Sequence, residues 1–395
     1  LVSSPFSRKG GKRGLESIFK EIANMAANIR IARIYGIPIG LHVSWFLIFV
    51  LVTWSLASGY FPIEYPNIPV AAYWLLGAVT SVLFFASVVV HELAHSIVAL
   101  RHGIPVREIS LFIFGGVAQI GEEPKSARDE FRIAIAGPIS SLLLALVFGI
   151  VYLLDQPSPY LAAPSLWLMR INLMLAFFNL VPGFPLDGGR VLRAAVWSWT
   201  KSYYRGTQVA AYAGQMVAFA FIGVGLLVVL AGSFFNGVWL VFIGWFLQNA
   251  AASSYAQANL QHSLRGVKVG QLMSRECIRV PADMSIAQLV EDRVLGAGQR
   301  CFFVADNSKL LGMLSLRDFT QVPREKWNTV KTEEAMVPFD RLLRVDPQTE
   351  LITALKMMDD AQVNQIPVTV GDEILGLLSR EQILRYVRTR AELGM

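Results

Sequence analysis

Six stretches of this chain, at about 41–60, 70–99, 131–154, 165–181, 209–231 and 238–255, are apolar over roughly the 20 residues that a helix needs to cross a bilayer. In hydrocarbon each backbone polar group must be satisfied within its own segment, so helices are the economical solution for such runs. The chain is expected to fold as a polytopic α-helical membrane protein with six transmembrane helices. Hydrophobic residues at 54% and charged residues at only 16% place it outside the usual composition of soluble domains.

The net charge of +6 does not point to nucleic acid. Its positive residues fall in clusters on alternate sides of the spans. Arg8, Lys9, Lys12, Arg13, Lys20, Arg30 and Arg33 precede the first span; Arg101, Arg107, Lys125 and Arg128 follow the second; Arg190, Arg193, Lys201 and Arg205 follow the fourth. The intervening loops at 62–69, 156–164 and 233–237 hold no Lys or Arg. By the positive-inside rule this is a multi-pass cell membrane protein with both termini cytoplasmic. Before the first span, Leu15, Ile18, Phe19, Ile22, Met25 and Ile29 recur at helical spacing, which predicts an amphipathic helix on the bilayer surface. Arg170 is the one charge the span scheme leaves unexplained. Either it partners a carboxylate or the fourth span begins later, and the later start is the expectation.

Within the second span stands His91-Glu92-Leu93-Ala94-His95. Histidines four residues apart share a helix face and can reach one metal ion, with Glu92 beside them to handle a proton. Ionisable groups at that depth cost roughly 2.5–3.5 kcal/mol each on insertion scales, so the cluster implies a use. A hydrolytic zinc normally takes three protein ligands and keeps a fourth position open. The best third candidate is Asp187, at the cytoplasmic end of the fourth span, the same side on which the second span ends. Pro182, Pro185, Gly188 and Gly189 would break the helix there and turn the carboxylate inward. Asn179, eight residues earlier, is a candidate donor to a substrate backbone or oxyanion. The segment 106–120 (VREISLFIFGGVAQI) alternates partly like a strand, turns at Gly115-Gly116 and is too short to cross as a helix. A membrane-associated β-hairpin or re-entrant loop is expected.

His91 to His95, Phe114-Gly115-Gly116, Ala136-Gly137-Pro138 and the run from Asn179 to Gly188 together resemble the signature set of the site-2 protease family, the intramembrane zinc metalloproteases. The opening 36–45 (GIPIGLHVSW) is also similar, and the resemblance extends over about 31–255. It implies hydrolysis of a peptide bond in or near a transmembrane segment of a single-span membrane protein, in regulated intramembrane proteolysis. It also implies one zinc per chain on His91, His95 and Asp187, with Glu92 as the catalytic residue. Substrate contacts would come from Asn179, Phe114, Gly115 and Gly116, with an edge strand at 111–114 pairing with the unwound substrate. Phe114-Gly115-Gly116 is equally open to being a plain turn, and Gly137-Pro138 to being only a packing notch.

Beyond Tyr255 the composition turns polar, and the chain repeats itself: Gly312-x-x-Ser315 is echoed by Gly376-x-x-Ser379. The repeat predicts two similar α/β modules packed as one cytosolic unit, and it resembles a tandem pair of CBS domains. Such pairs bind adenine nucleotides, which implies ATP or a related ligand at Ser315 and Asp318, although Gln382 replaces the acidic residue in the second half. Ser315 and Asp318 also suit a helix cap. Pairing of two copies through the CBS unit is a further expectation. Cys277 and Cys301, the only cysteines, suggest neither a disulfide framework nor a zinc site. The expected divisions are a basic segment at 1–34, a metalloprotease domain at 35–255, a linker at 256–266, and CBS domains at 267–326 and 327–395. The competing class is a CBS-regulated channel or transporter, which would line a through-path with ionisable groups; one metal-type cluster at one depth argues against it.

Overall fold

The computed structural model describes residues 29–113, 115–121, 123–154, 158–276, 278–297, 299–306, 309–371 and 373–393. Most of the expected N-terminal amphipathic helix lies outside them, and its last stretch is corrected: Ile29–Ile34 is a strand, β1. Tyr35 and Gly36 both have positive φ, 51° and 80°, the geometry of a two-residue hairpin turn. They fold β1 back on β2 (Ile37–Leu41) in antiparallel register. The alternation of Ile29 and Ile31 about Arg30, followed by Tyr-Gly, carries a strand signal that outweighs the helical spacing of the residues before it.

β2 pairs in parallel with β3 (Val106–Phe112), and β3 pairs antiparallel with β4 (Gly115–Ile120), giving the order β1-β2-β3-β4. The expected hairpin at 106–120 is therefore half of a four-stranded sheet. Leu111 is matched by Leu41 on one side and Gly116 on the other, so β3 is interior and cannot be the free edge expected at 111–114. The open edge on that side is β4.

Among the described residues, six helices are long and apolar enough to cross a membrane: α1 (Ser44–Glu64), α2 (Val70–Arg101), α3 (Ala127–Leu154), α4 (Pro159–Asn179), α6 (Tyr203–Leu230) and α7 (Phe234–Leu264). A shorter helix, α5 (Asp187–Thr200), joins α4 to α6. Many large apolar side chains on the six, such as Leu75, Leu146, Phe177 and Leu227, are exposed, as lipid-facing positions are. The boundary expectation for Arg170 is corrected. α4 begins at Pro159, earlier than expected, so Arg170 lies inside it, where its Nη1 donates to the Tyr60 hydroxyl at 3.1 Å and stands 4.0 Å from Glu64 Oε1.

The sheet lies against α2. Ile37, Ile39 and Ile109 cluster with Leu93, and Leu41 and Leu111 cluster with Phe85 and Val88. These are alternate positions along their strands, so one sheet face is apolar and covered by the helix that carries both histidines. α3 packs on α2 as well, and also on α4 and α5.

By its internal contacts the chain separates into two compact units, Leu1–Ala256 and Gln257–Met395. The second is α/β. One sheet runs β5 (Arg279–Pro281), β6 (Cys301–Asp306), β7 (Lys309–Ser315) and β8 (Val337–Pro338); the other is a hairpin of β9 (Gln365–Val370) and β10 (Glu373–Ser379). The two halves exchange segments. Val267 and Val269 enter the core built around Leu351, Ile366 and Leu378, while Thr332 donates to the carbonyls of Pro281 and Ala282 in the first half.

Candidate metal centre

On α2, successive residues are turned by roughly 100°, so His91 and His95 share one face while Glu92 points to the next. Both histidines are buried and Glu92 is half-buried. The histidine face meets α3. His95 Nδ1 lies 2.6 Å from the Ile133 carbonyl and His91 Nδ1 lies 2.8 Å from Ser141 Oγ. A carbonyl only accepts, so Nδ1 of His95 carries the hydrogen and a neutral ring presents the lone pair of Nε2 inward.

Asp187 arrives from the other side. After α4 ends at Asn179 the chain runs irregularly to Leu186, held by the Phe184 N–H donating to the Ala210 carbonyl of α6, and Asp187 opens α5. Its Oδ2 lies 3.1 Å from both His91 Nε2 and His95 Nε2, and those nitrogens are 3.3 Å apart. Burial alone would raise the Asp187 carboxyl, but the contacts with His91 and His95 outweigh it and hold the group well below the usual carboxylate range. The carboxylate is therefore an anion facing two imidazoles.

Three electron-rich atoms converging this closely are a donor set for a cation. Tetrahedral zinc with bonds of about 2.0–2.1 Å separates its ligand atoms by roughly 3.3 Å, so the 3.1–3.3 Å triangle fits that ion. The second ring nitrogens are engaged on a carbonyl and a hydroxyl, as metal-binding histidines usually are. A further sign is Gly137. A Cβ there would overlap Nε2 of both histidines, so only glycine leaves the cradle open. His91, His95 and Asp187 are thus the residues that can hold a metal.

Glu92 faces β4. A Cβ on Gly116 would stand 2.7 Å from Glu92 Cγ. Of the expected substrate contacts, Gly115 and Gly116 open β4 and Asn179 closes α4, while Phe114 lies outside the described residues. His42 belongs to the fold: its Nδ1 accepts from the Ser44 N–H at 3.1 Å at the start of α1. Of the supporting residues, Ile133 carries no role in the sequence, while Gly137-Pro138, with Ser140 and Ser141 nearby, is expected only to permit close packing or bending beside the site. The common spacing of Ile133, Gly137 and Ser141 on one helix stripe was the available signal.

Ser315 and Asp318 lie elsewhere, in the second unit. Asp318 Oδ2 accepts from the Ser315 N–H at 2.8 Å and from its hydroxyl at 2.6 Å, capping the short helix α8 (Leu316–Thr320). Gln382 makes the corresponding cap on Ser379 at the start of α10 (Arg380–Glu392), whose predecessor α9 (Leu351–Asp360) packs beneath β9. Ser315, Asp318 and Ser379 line one cavity of about 740 Å³ with Arg300, Arg317, Arg341 and Arg380. Arg380 pairs with Asp359 and Arg317 donates to the Gln362 carbonyl, but among the described residues the Arg300 and Arg341 guanidinium groups have no partner. Cys301 is buried, and Cys277 lies outside the described residues.

The chain matches the family described as Peptidase family M50 over residues 79–163 and 156–222, and the CBS domain over residues 269–325 and 334–389. The protein sll0528 of Synechocystis sp. is 35% identical over 371 residues, covering 93% of this chain and 97% of that protein. Zinc metalloprotease MJ0392 of Methanocaldococcus jannaschii is 31% identical over 366 residues, covering 91% and 96%. Among solved structures, the site-2 protease from Methanocaldococcus jannaschii is 34% identical, with 58% of this chain and 95% of that chain covered and a TM-score of 0.39.

Proposed function

Because the chain belongs to peptidase family M50, the zinc metalloproteases of the site-2 type, and carries tandem CBS domains, we propose that His91, His95 and Asp187 hold its zinc and that Glu92 is its catalytic residue. The substrate is a single-span membrane protein, cut in or beside its transmembrane segment. The observation that carries this reading is the 3.1–3.3 Å triangle of two imidazole nitrogens and a carboxylate, buried between α2 and α3 and closed by Gly137.

Bound there, zinc supplies Lewis acidity that acidifies water and polarises the scissile carbonyl. The chain supplies the rest. A Glu92 carboxylate oxygen accepts the proton from the attacking water and returns it to the leaving amine. The substrate segment must be unwound before its carbonyl is accessible, and β4 offers the strand edge for it. Gly116 sits against Glu92 on that edge, so a segment added there runs past the base. Asn179 is the proposed donor to the substrate backbone. The loop charges support cytoplasmic placement of both termini and of this end of α2.

The CBS unit is proposed to regulate cleavage by taking an adenine nucleotide, its phosphates against Arg300 and Arg341 and its sugar near Ser315 and Asp318. The two unpartnered guanidinium groups support an anionic ligand.

The test is metal analysis alongside cleavage of a fluorescent single-span substrate by the full-length protein in liposomes. One zinc per chain is expected in the wild type and in Glu92→Gln, with cleavage in the variant reduced by roughly 10²–10⁴-fold. A wild type without zinc, or a variant that cleaves normally, would overturn the assignment.

A further inference from the structure

None of the steps above uses Glu130, yet it is completely buried, in the first turn of α3. Its Oε1 accepts from Arg190 Nε at 3.0 Å and from Arg193 Nη2. Both arginines belong to α5, three and six residues beyond Asp187, and both are largely buried. Arg193 extends the grip. Its guanidinium lies over the Phe184 ring at 5.0 Å and the Tyr203 ring at 4.7 Å, and it donates to the Tyr203 hydroxyl at 2.7 Å. Phe184 lies in the segment that delivers Asp187, so Glu130 is tied through Arg193 to the chain on both sides of that residue.

Along α3, Glu130 begins a series: Ile133, Gly137 and Ser141 follow at spacings of three, seven and eleven, which lie on one helix stripe. Ile133 orients His95, Ser141 orients His91, and Gly137 admits both rings. We infer that α3 is the template of the metal centre, and that Glu130 is a positioning residue that sets the Asp187 carboxylate through Arg190 and Arg193. The inference rests on the reading of His91, His95 and Asp187 as zinc ligands.

The physics is that of a buried ion cluster. Arg190 and Arg193 bring two positive charges to the Glu130 carboxylate, and removing it leaves both without the counter-ion they hydrogen-bond in a low-dielectric site. The first turn of α5 then loses the contact that holds it against α3. Metal sites tolerate deviations of only about 0.2 Å in ligand distance, so a small shift of α5 weakens the site without removing any ligand.

The experiment is chelator competition for zinc on the full-length protein in liposomes, for the wild type, Asp187→Ala, Glu130→Gln, the double variant Asp187→Ala with Glu130→Gln, and Arg190→Met. Phe61→Leu serves as a control, since it loosens a core distant in sequence from α3 and contacts none of the proposed ligands. Glu130→Gln is expected to lower zinc affinity roughly 10- to 100-fold. It should also lower kcat with KM unchanged, and it should have no further effect on zinc once Asp187 is gone. Phe61→Leu should lower Tm and leave zinc affinity unchanged. If Glu130→Gln does not fold, Arg190→Met decides: it removes one donor while Arg193 still neutralises Glu130, and zinc affinity should fall severalfold. Zinc affinity unchanged in the folded variants, or equal losses from Glu130→Gln with and without Asp187, would overturn the inference. Zinc retained in Asp187→Ala would instead overturn the ligand assignment beneath it.

Discussion

The candidate metal centre between α2, α3 and α5 and the arginine-lined cavity of the second unit both gather polar groups, but under opposite constraints. At the candidate metal centre three donor atoms lie within 3.3 Å of one another, the outer nitrogens of both histidines are engaged, and a glycine marks the limit of approach. In the cavity the charged groups stand around about 740 Å³ of open space, and the Arg300 and Arg341 guanidinium groups engage no partner among the described residues. An unpaired polar group inside a membrane protein is expensive, so each atom of the first site is held by another. A guanidinium at a water-filled cleft keeps its hydration, so nothing internal has to hold it. A site of the first kind therefore announces its ligand in its own geometry, whereas one of the second kind states only a charge and a volume.

That contrast predicts a steep gradient of mutational effect. The largest belongs to Gly137→Ala, one methyl group that would overlap both histidine Nε2 atoms. Zinc content and cleavage should fall to background while the second unit keeps its own unfolding transition, as metal analysis and calorimetry would record. Retention of zinc would mean that α2 and α3 can part, and the tightness argued for this site would be lost. Gly116→Ala comes next. Its methyl presses on the flexible Glu92 side chain rather than on a ring or backbone, so kcat should drop by roughly 10-fold or more with zinc retained, in line with the sensitivity of reacting groups to small displacements. Equal loss of zinc and activity would show that β4 supports the metal as well as the base. The smallest effect on the metal site is expected for Arg341→Ala. Removing one charge-assisted contact, worth about 1.5–3 kcal/mol, should weaken ATP or AMP binding by roughly 10- to 100-fold in calorimetric titration and leave zinc content unchanged. Unchanged nucleotide binding would remove Arg341 from the phosphate contacts.

Much of the first unit is legible in the sequence. Apolar length identified the spans, and the four-residue spacing of His91 and His95 placed them on one face. Asp187 followed from the side of the membrane on which its segment ends. The misreadings have local causes. Ile29 fits both the helical series before it and the strand alternation after it, and pairing with β2 decided for the strand. The edge expected at 111–114 presumed an isolated hairpin, but β2, more than sixty residues earlier, occupies that side of β3. Arg170 looked like a boundary error because its partners, Tyr60 and Glu64, lie far away in the chain.

What the sequence determined by itself are properties of short range and of solvent: which segments are apolar enough for lipid, which residues recur on one face, and which chemistry two histidines and a neighbouring glutamate permit. These follow from periodicity and transfer energy, both local in the chain. Only the tertiary structure decided which backbone carbonyl would hold His95, why position 137 must lack a side chain, how Glu130 reaches across to α5, and which CBS half receives Val267. Each of those depends on the approach of segments remote in sequence, where a displacement of a few tenths of an ångström separates a contact from a clash, and no pattern along one chain encodes that distance.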